Sequence, residues 1–324
     1  MVIAWILLFC AGIALIVWGA ETFAEHLGAA SVRLGVSTFA LALLLAGAEP
    51  EELATVVVAS LRGSPGIALG DVIGANVAIC LVALGVGAVI APLPFRRSVM
   101  RYALLGLPLG AVAAWIAWDG LVTRLEGVVL VALYIAYVAL IWKVERHPPA
   151  LGEVHELAEA QEFAKGSAPR RIGPELVLVF AGVMAMAAGA TLLVEAVQRI
   201  TGVEAMQTRL GLTLVGFATA FELVVLAWSA ARRGASEAVV AGVVGSFAYN
   251  ATMTLGAGAL ARPLRITDAA GLHLPWLMML GALGLVVLLA APKGQLGRRA
   301  GMALLAAYPL FAWLVLKPQA WSGS

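Results

Sequence analysis

The chain has 324 residues, 62% of them hydrophobic and 12% charged, with a mean hydropathy of +0.97. A soluble domain carries about twice that charged fraction and puts polar faces on its outer helices, so a soluble helical core is excluded; uninterrupted apolar runs such as residues 1–20 exclude the alternating strands of a membrane barrel. The net charge of +2 gives no reason to expect a nucleic-acid partner, and Cys10 and Cys80 both lie in apolar runs, where they read as packing residues rather than a disulfide pair.

Crossing a bilayer as a helix takes about 20 mostly apolar residues. Ten such spans are predicted: Val2–Ala20, Leu34–Leu61, Ile67–Ile90, Tyr102–Trp118, Gly127–Trp142, Leu176–Val194, Leu210–Ala231, Ala238–Leu260, Leu274–Ala291 and Ala300–Leu316. The first lacks a basic start and a convincing cleavage site and reads as a retained helix. The polar segment 144–173 divides the chain into residues 1–143 and 174–324, with five spans each. Arg96, Arg97 and Arg101, together with Lys143, Arg146, Lys165, Arg170 and Arg171, lead a two-to-one excess of basic residues in loops after odd-numbered spans. The positive-inside rule then puts the central loop in the cytoplasm and both termini outside, in a multi-pass protein of the cell membrane. His147 and His155, with Glu153, Glu156, Glu159 and Glu162, fall in that loop and read as a solvated amphipathic segment.

Five spans per half is an odd number, so a repeat between the halves must be inverted across the membrane. One is visible. The stretch from Gly19 to Leu53 and the stretch from Gly189 to Leu223 both open on Gly-Ala and close on Glu-Leu. Each is followed by a short basic turn and a glycine-punctuated helix, "ALGDVIGANVA" and "VAGVVGSFAYN". The expected fold is therefore an all-α polytopic membrane protein, with ten transmembrane helices as two inverted five-helix repeats and a site where the repeats meet. Register at the acids has two solutions. Counting back from the glycine motifs pairs Glu51 with Glu222, each 23 residues before Gly74 or Gly245; counting from the Gly-Ala pairs selects Glu52, as does the Glu-Leu match, and Glu52 is preferred.

Acids inside spans are costly, roughly 2.5–3.5 kcal/mol each on insertion scales, and they mark ion paths. Glu49, Glu51, Glu52 and Glu222 are interior here, with Asp71, Glu195 and Glu21 nearer span ends, and no lysine or arginine sits at the centre of any span. Their natural counter-charge is mobile, a metal ion or a proton. Glu49 and Glu52 are three apart and share a helix face. Pro50, with Gly47, favours a broken helix whose freed carbonyls stand beside carboxylates, an all-oxygen setting suited to Ca²⁺ or Na⁺. Thr219, Glu222, Ser246 and Asn250 offer further oxygens from the second half, while the absence of His and Cys there argues against zinc or copper.

On these motifs, "GAEPEEL" with "GDVIGAN" and "FATAFEL" with "AGVVGSF", each half resembles the alpha-repeat of the calcium/cation antiporter superfamily, which contains the sodium/calcium exchangers. The resemblance implies two inverted five-helix halves and alternating access, exporting Ca²⁺ or a related divalent cation against H⁺ or Na⁺. It implies that Glu52 and Glu222 are the glutamates binding the transported metal ion, and that Thr219, Ser246 and Asn250 match ligand positions. Ala48 and Glu49 replace the family's hydroxyl pair, Ala75 a later serine and Ala220 another, while Ile79 stands at a common ligand amide. The missing hydroxyls weaken the case for Na⁺ coupling. Glu49 is expected to restore the carboxylate that Asn250 lacks, and one of the clustered carboxylates to carry a proton in the return step.

Glu51 reads as a rim residue or a hydrogen-bonded structural acid. For Asp71, helix-start capping and ion contact stand equal. Asn76 is a weaker ion-contact candidate that could instead hydrogen-bond between the halves, and Gly70, Gly74 and Gly245 permit close helix packing. His26 and Glu25 form a weak proton-route candidate. The chain lacks H-E-x-x-H and paired intramembrane aspartates, so it is not expected to be an enzyme, and no cofactor or oligomer is required. A cation channel or a non-transporting sensor on the same fold is the alternative.

Overall fold

The computed structural model describes residues 2–33, 49–145, 172–233 and 237–317. Helix α1 (Val2–Arg33) continues well past its expected end at Ala20. A hydropathy window closes at Glu21, but the helix does not, because Glu, His and Ala are compatible with helical backbone. The predicted span Leu34–Leu61 is described only from Glu49 onward, as α2 (Pro50–Leu61). That helix ends in a Schellman turn: Ser64 N–H donates to Ala59 O at 2.9 Å and Gly63 N–H to Ser60 O at 3.0 Å, with Gly63 at φ +70°, where a side chain would be strained.

Pro65 opens α3 (Pro65–Ile90), which is buried without interruption from Gly66 to Gly85 and passes through a π-helical turn at Ile79–Ala83. Helices α4 (Arg97–Ile116), α5 (Arg124–Glu145) and α6 (Ile172–Ile200) follow. Helix α7 covers residues 204–219 with a π turn at Gly211–Val215, and after a single-residue turn at Ala220 the chain resumes as α8 (Phe221–Arg233). Helix α9 covers residues 237–261 with a third π turn at Tyr249–Thr254, and α10 (Ala270–Ala290) and α11 (Arg298–Leu316) complete the bundle. Among the described residues, eight helical stretches are long and apolar enough to cross a membrane, α7 and α8 together forming one of them. The protein is a mostly helical polytopic membrane protein.

Lipid gives apolar helices no hydrophobic reason to associate, so contact depends on close backbone approach. The antiparallel pair α1 and α6 meets through glycines. A methyl group added at Gly12 would lie 2.8 Å from Gly189 O, and one at Gly189 2.6 Å from Gly12 O; Gly19 and Gly182 show the same relation at 2.8 and 2.7 Å. Gly127 of α5 meets Gly256 of α9 in this way, and Gly301 of α11 meets Gly85 of α3. Large apolar side chains on the opposite faces, such as Leu7, Val177 and Phe180, are exposed, as a bilayer-facing surface requires.

Two short antiparallel ladders tie connections of the first half to connections of the second. β1 (Leu93–Pro94) pairs with β4 (Gln295–Leu296), and β2 (Leu121–Val122) with β3 (Leu264–Arg265). They flank α4 and α10, one ladder at each end of that packed pair.

Candidate ion-binding site

A helix starts at Pro50, where the sequence predicts a break, and the residues before Glu49 lie outside the described residues. Glu49 has non-helical dihedrals, φ −116° and ψ 86°, and Pro50 takes the first helical position, where its missing N–H costs nothing. Glu51 and Glu52 then occupy the first turn of α2. Glu49, Glu51, Glu52 and Asp71 are 1, 1, 2 and 0% exposed, too little for water to solvate a charge. Gly47 lies outside the described residues.

Each buried acid is matched to polar groups of the second half. Ser246 donates its hydroxyl to Glu49, and Glu51 lies beside Glu49 within electrostatic range. Thr219, the last residue of α7, donates to Asp71 Oδ1 at 2.8 Å, and its hydroxyl lies 3.2 and 3.4 Å from the carbonyls of Val215 and Gly216. Glu52 is close enough to Glu51, Asp71 and Glu222 for charge repulsion and faces the amide of Asn250. That amide closes no hydrogen bond of good geometry, since both Glu52 oxygens and Asn250 Nδ2 lack a partner. Asn250 sits in the π turn of α9 and accepts from Thr254 Oγ1 at 3.3 Å. Glu222, half-buried, stands in the first turn of α8 within electrostatic range of both Glu49 and Glu52.

Glu49, Glu52, Asp71, Thr219, Glu222, Ser246 and Asn250 are therefore brought together, with Glu51 buried beside Glu49 and Glu52 rather than at a rim. Helix-start capping does not hold for Asp71 either. The cap position of α3 is Ser64, and Asp71 lies almost two turns inside a fully buried helix. The reason is the tight turn at Gly63, which starts α3 two residues before the expected Ile67. Asn76 is engaged elsewhere, donating to Phe247 O at 3.3 Å and to the Met279 sulfur at 3.5 Å, a link between the halves.

Gly70 and Gly74 let α3 lie directly on the backbone of α7. A methyl group at Gly74 would stand 2.3 Å from Leu212 O, and one at Gly216 2.5 Å from Ala75 N. This contact carries Asp71 to Thr219. Gly245 is buried in α9, one residue before Ser246. The chain offset that carries Gly85 onto Gly256 and Gly87 onto Gly258 also carries Val56 onto Ala227. Those residues make corresponding contacts: Gly87 faces Ala227 O and Gly258 faces Val56 Cγ1. The same offset carries Glu51, not Glu52, onto Glu222, so the Glu-Leu match requires a one-residue shift at the turn around Ala220.

Among the described residues, no three His, Cys, Asp or Glu side chains converge as a ready-made metal cage. Glu49 and Asp71 instead accept hydroxyl bonds from the other half, and Glu49, Glu52 and Asp71 have no lysine or arginine partner among those residues. A small crevice adjoins Glu51 and Thr219, walled by Ile13, Ile16 and Val17 of α1 and Leu193 of α6. Ion pairs lie at the ends of the long helices: Arg62 and Arg199 both bind Glu195, at 2.5 and 2.7 Å, and His26 meets Glu175 at 2.7 Å. His26 thus ties α1 to α6 and is not in contact with the buried acids. Sequence reading did not anticipate the π turns, and no residue pattern marks them; two of the three stand at corresponding places, around Ile79 and Asn250.

Residues 4–143 and 175–317 match the family described as sodium/calcium exchanger protein. The chain is 28% identical over 297 residues to an uncharacterized membrane protein, MJ0091, of Methanocaldococcus jannaschii, covering 90% of this chain and 89% of that one. It is 24% identical over 315 residues to the inner membrane protein YrbG of Escherichia coli, covering 95% of each. A solved structure of the sodium-calcium exchanger NCX_Mj superposes with a TM-score of 0.61 at 26% identity, over 98% of this chain and 100% of that one.

Proposed function

Because this chain belongs to the sodium/calcium exchanger family, we propose that it is a secondary antiporter that exports Ca²⁺, or a related divalent cation, in exchange for H⁺ or Na⁺. Transport proceeds by alternating access between two inverted five-helix halves. The repeated glycine contacts and the two strand ladders support that symmetry, each pairing having a counterpart in which the elements of the two halves are exchanged. No chemical transformation is needed, and no cofactor takes part.

The observation that carries this reading is the meeting of Glu49, Glu52 and Asp71 from the first half with Ser246, Thr219 and Asn250 from the second, all buried. Oxygen donors of this kind suit a hard cation. Glu52 and Glu222 are the principal metal ligands, and Glu49 supplies the third carboxylate. Because the Ser246–Glu49 and Thr219–Asp71 bonds both cross between the halves, a relative movement of the halves must break them. A bound cation would draw the Ser246 and Thr219 hydroxyl oxygens to itself beside the carboxylates, turning donors into ligands, which links occupancy to the arrangement of the halves. The absence of hydroxyls at Ala48, Ala75 and Ala220 favours H⁺ over Na⁺ as the coupling ion.

Ca²⁺ uptake by inside-out vesicles under imposed gradients tests the function. Uptake driven by a pH gradient alone, or by a Na⁺ gradient alone, names the coupling ion. Leak that ignores both gradients indicates a channel, and absence of flux overturns Ca²⁺ as substrate.

A further inference from the structure

Asp71 is not accounted for by the site just proposed. The family-like arrangement uses Glu52, Glu222 and one further carboxylate, and Glu49 already provides the third. Asp71 is a fourth, 0% exposed, at the middle of a helix with no exposed residue around it. Its bond to Thr219 requires a single acceptor oxygen, which an asparagine would supply as well without a charge. Oδ2 of Asp71 and both oxygens of the neighbouring Glu52 have no hydrogen-bond donor. Native proteins satisfy the large majority of buried polar atoms, and an uncompensated buried charge is among the costlier defects a fold can carry. Three such oxygens on two carboxylates within electrostatic range of each other, with no lysine or arginine partner among the described residues, leave a place for a positive charge from outside the protein.

We propose that Asp71 and Glu52, with the Thr219 hydroxyl, form a second position for a hard cation, set between α2, α3 and the end of α7, beside the position served by Glu49, Glu222 and Ser246. The inference rests on the antiporter reading and adds to it. Two carboxylates favour a divalent ion over a monovalent one. Both ions share the central carboxylate, Glu52, so the occupancy of one position affects the other. Asp71→Asn separates them, because it keeps the side-chain volume and the acceptor for Thr219 and removes only the charge.

The test is equilibrium Ca²⁺ binding to the purified full-length protein in detergent, with gel filtration and thermal melting as checks on folding. Wild type is expected to take up two equivalents of Ca²⁺, and Asp71→Asn one. Thr219→Val, which keeps both charges, should weaken one equivalent without abolishing it, and it provides an independent reading if Asp71→Asn melts early. Equal stoichiometry in wild type and Asp71→Asn overturns the second position. So does a wild type that binds a single equivalent, whether Asp71→Asn keeps it or loses it, since protons or a shared ligand would then explain the surplus charge. A wild type that binds no Ca²⁺ while remaining folded overturns the proposed substrate, and this position with it.

Discussion

Ser246 and Glu49 come from opposite halves of the chain, and their hydrogen bond is made to an acid that water does not reach. Bonds to charged groups contribute roughly 1.5–3 kcal/mol, and in a closed site the partner left behind carries the loss. Ser246→Ala should therefore weaken Ca²⁺ binding by about tenfold or more, read by titration of the purified protein. Glu52→Gln and Glu222→Gln should go further and abolish Ca²⁺ flux in vesicles, because each removes a principal ligand. The Glu49–Glu51 pair gives a sharper comparison. Glu49 accepts from Ser246 of the second half and lies within electrostatic range of Glu52 and Glu222, so Glu49→Gln should alter the pH dependence of Ca²⁺ flux more than Glu51→Gln does. Equal and negligible effects of the two substitutions would remove Glu49 from the coupling scheme.

At the scale of the helices, stability rests on backbone approach, and the glycine pairs of α1 and α6 are the place to test it. Added bulk in a well-packed contact costs roughly 1–3 kcal/mol. Gly189→Val, whose first carbon alone would lie 2.6 Å from Gly12 O, should lower the melting temperature in detergent by several degrees, about what that energy implies for a protein of this size. Gly281→Ala is the control, since nothing lies within 4 Å of the added methyl group, and it should melt at or slightly above wild type. These elements were legible in the sequence to different degrees. Pro50 announced the start of α2, because a missing N–H and a fixed φ act locally. The apolar runs announced most of the helices for the same reason. The depth of Asp71 was not legible, because it depends on the Schellman turn at Gly63 starting α3 early, and a span drawn by hydropathy places its first residue only loosely. The extension of α1 to Arg33 was missed because acids end a hydropathy run without ending a helix. The π turns at Ile79–Ala83 and Tyr249–Thr254 leave no compositional trace, yet the second holds Asn250 against Glu52.

At the scale of the whole molecule, the direction of transport depends on orientation, and orientation rests on charge. Basic residues flanking spans resist translocation, and the excess around the central segment, with Arg96, Arg97 and Arg101, argues that this face stays in the cytoplasm. On the predicted layout of five spans per half, both termini would lie outside, and the Arg62–Glu195–Arg199 ion pairs would sit at the outer ends of α2 and α6. The His26–Glu175 pair, at the opposite ends of α1 and α6, falls on the cytoplasmic side. The assignment can be read with two engineered cysteines in a background carrying Cys10→Ala, with Cys80 retained because it is buried. A membrane-impermeant maleimide should label Ser322→Cys in intact cells and Ser167→Cys only after the membrane is opened. The reverse pattern would place the central segment outside. Vesicles prepared as inside-out would then present the opposite mouth of the site, so the labelling fixes which gradient direction in the flux experiment corresponds to Ca²⁺ leaving the cell.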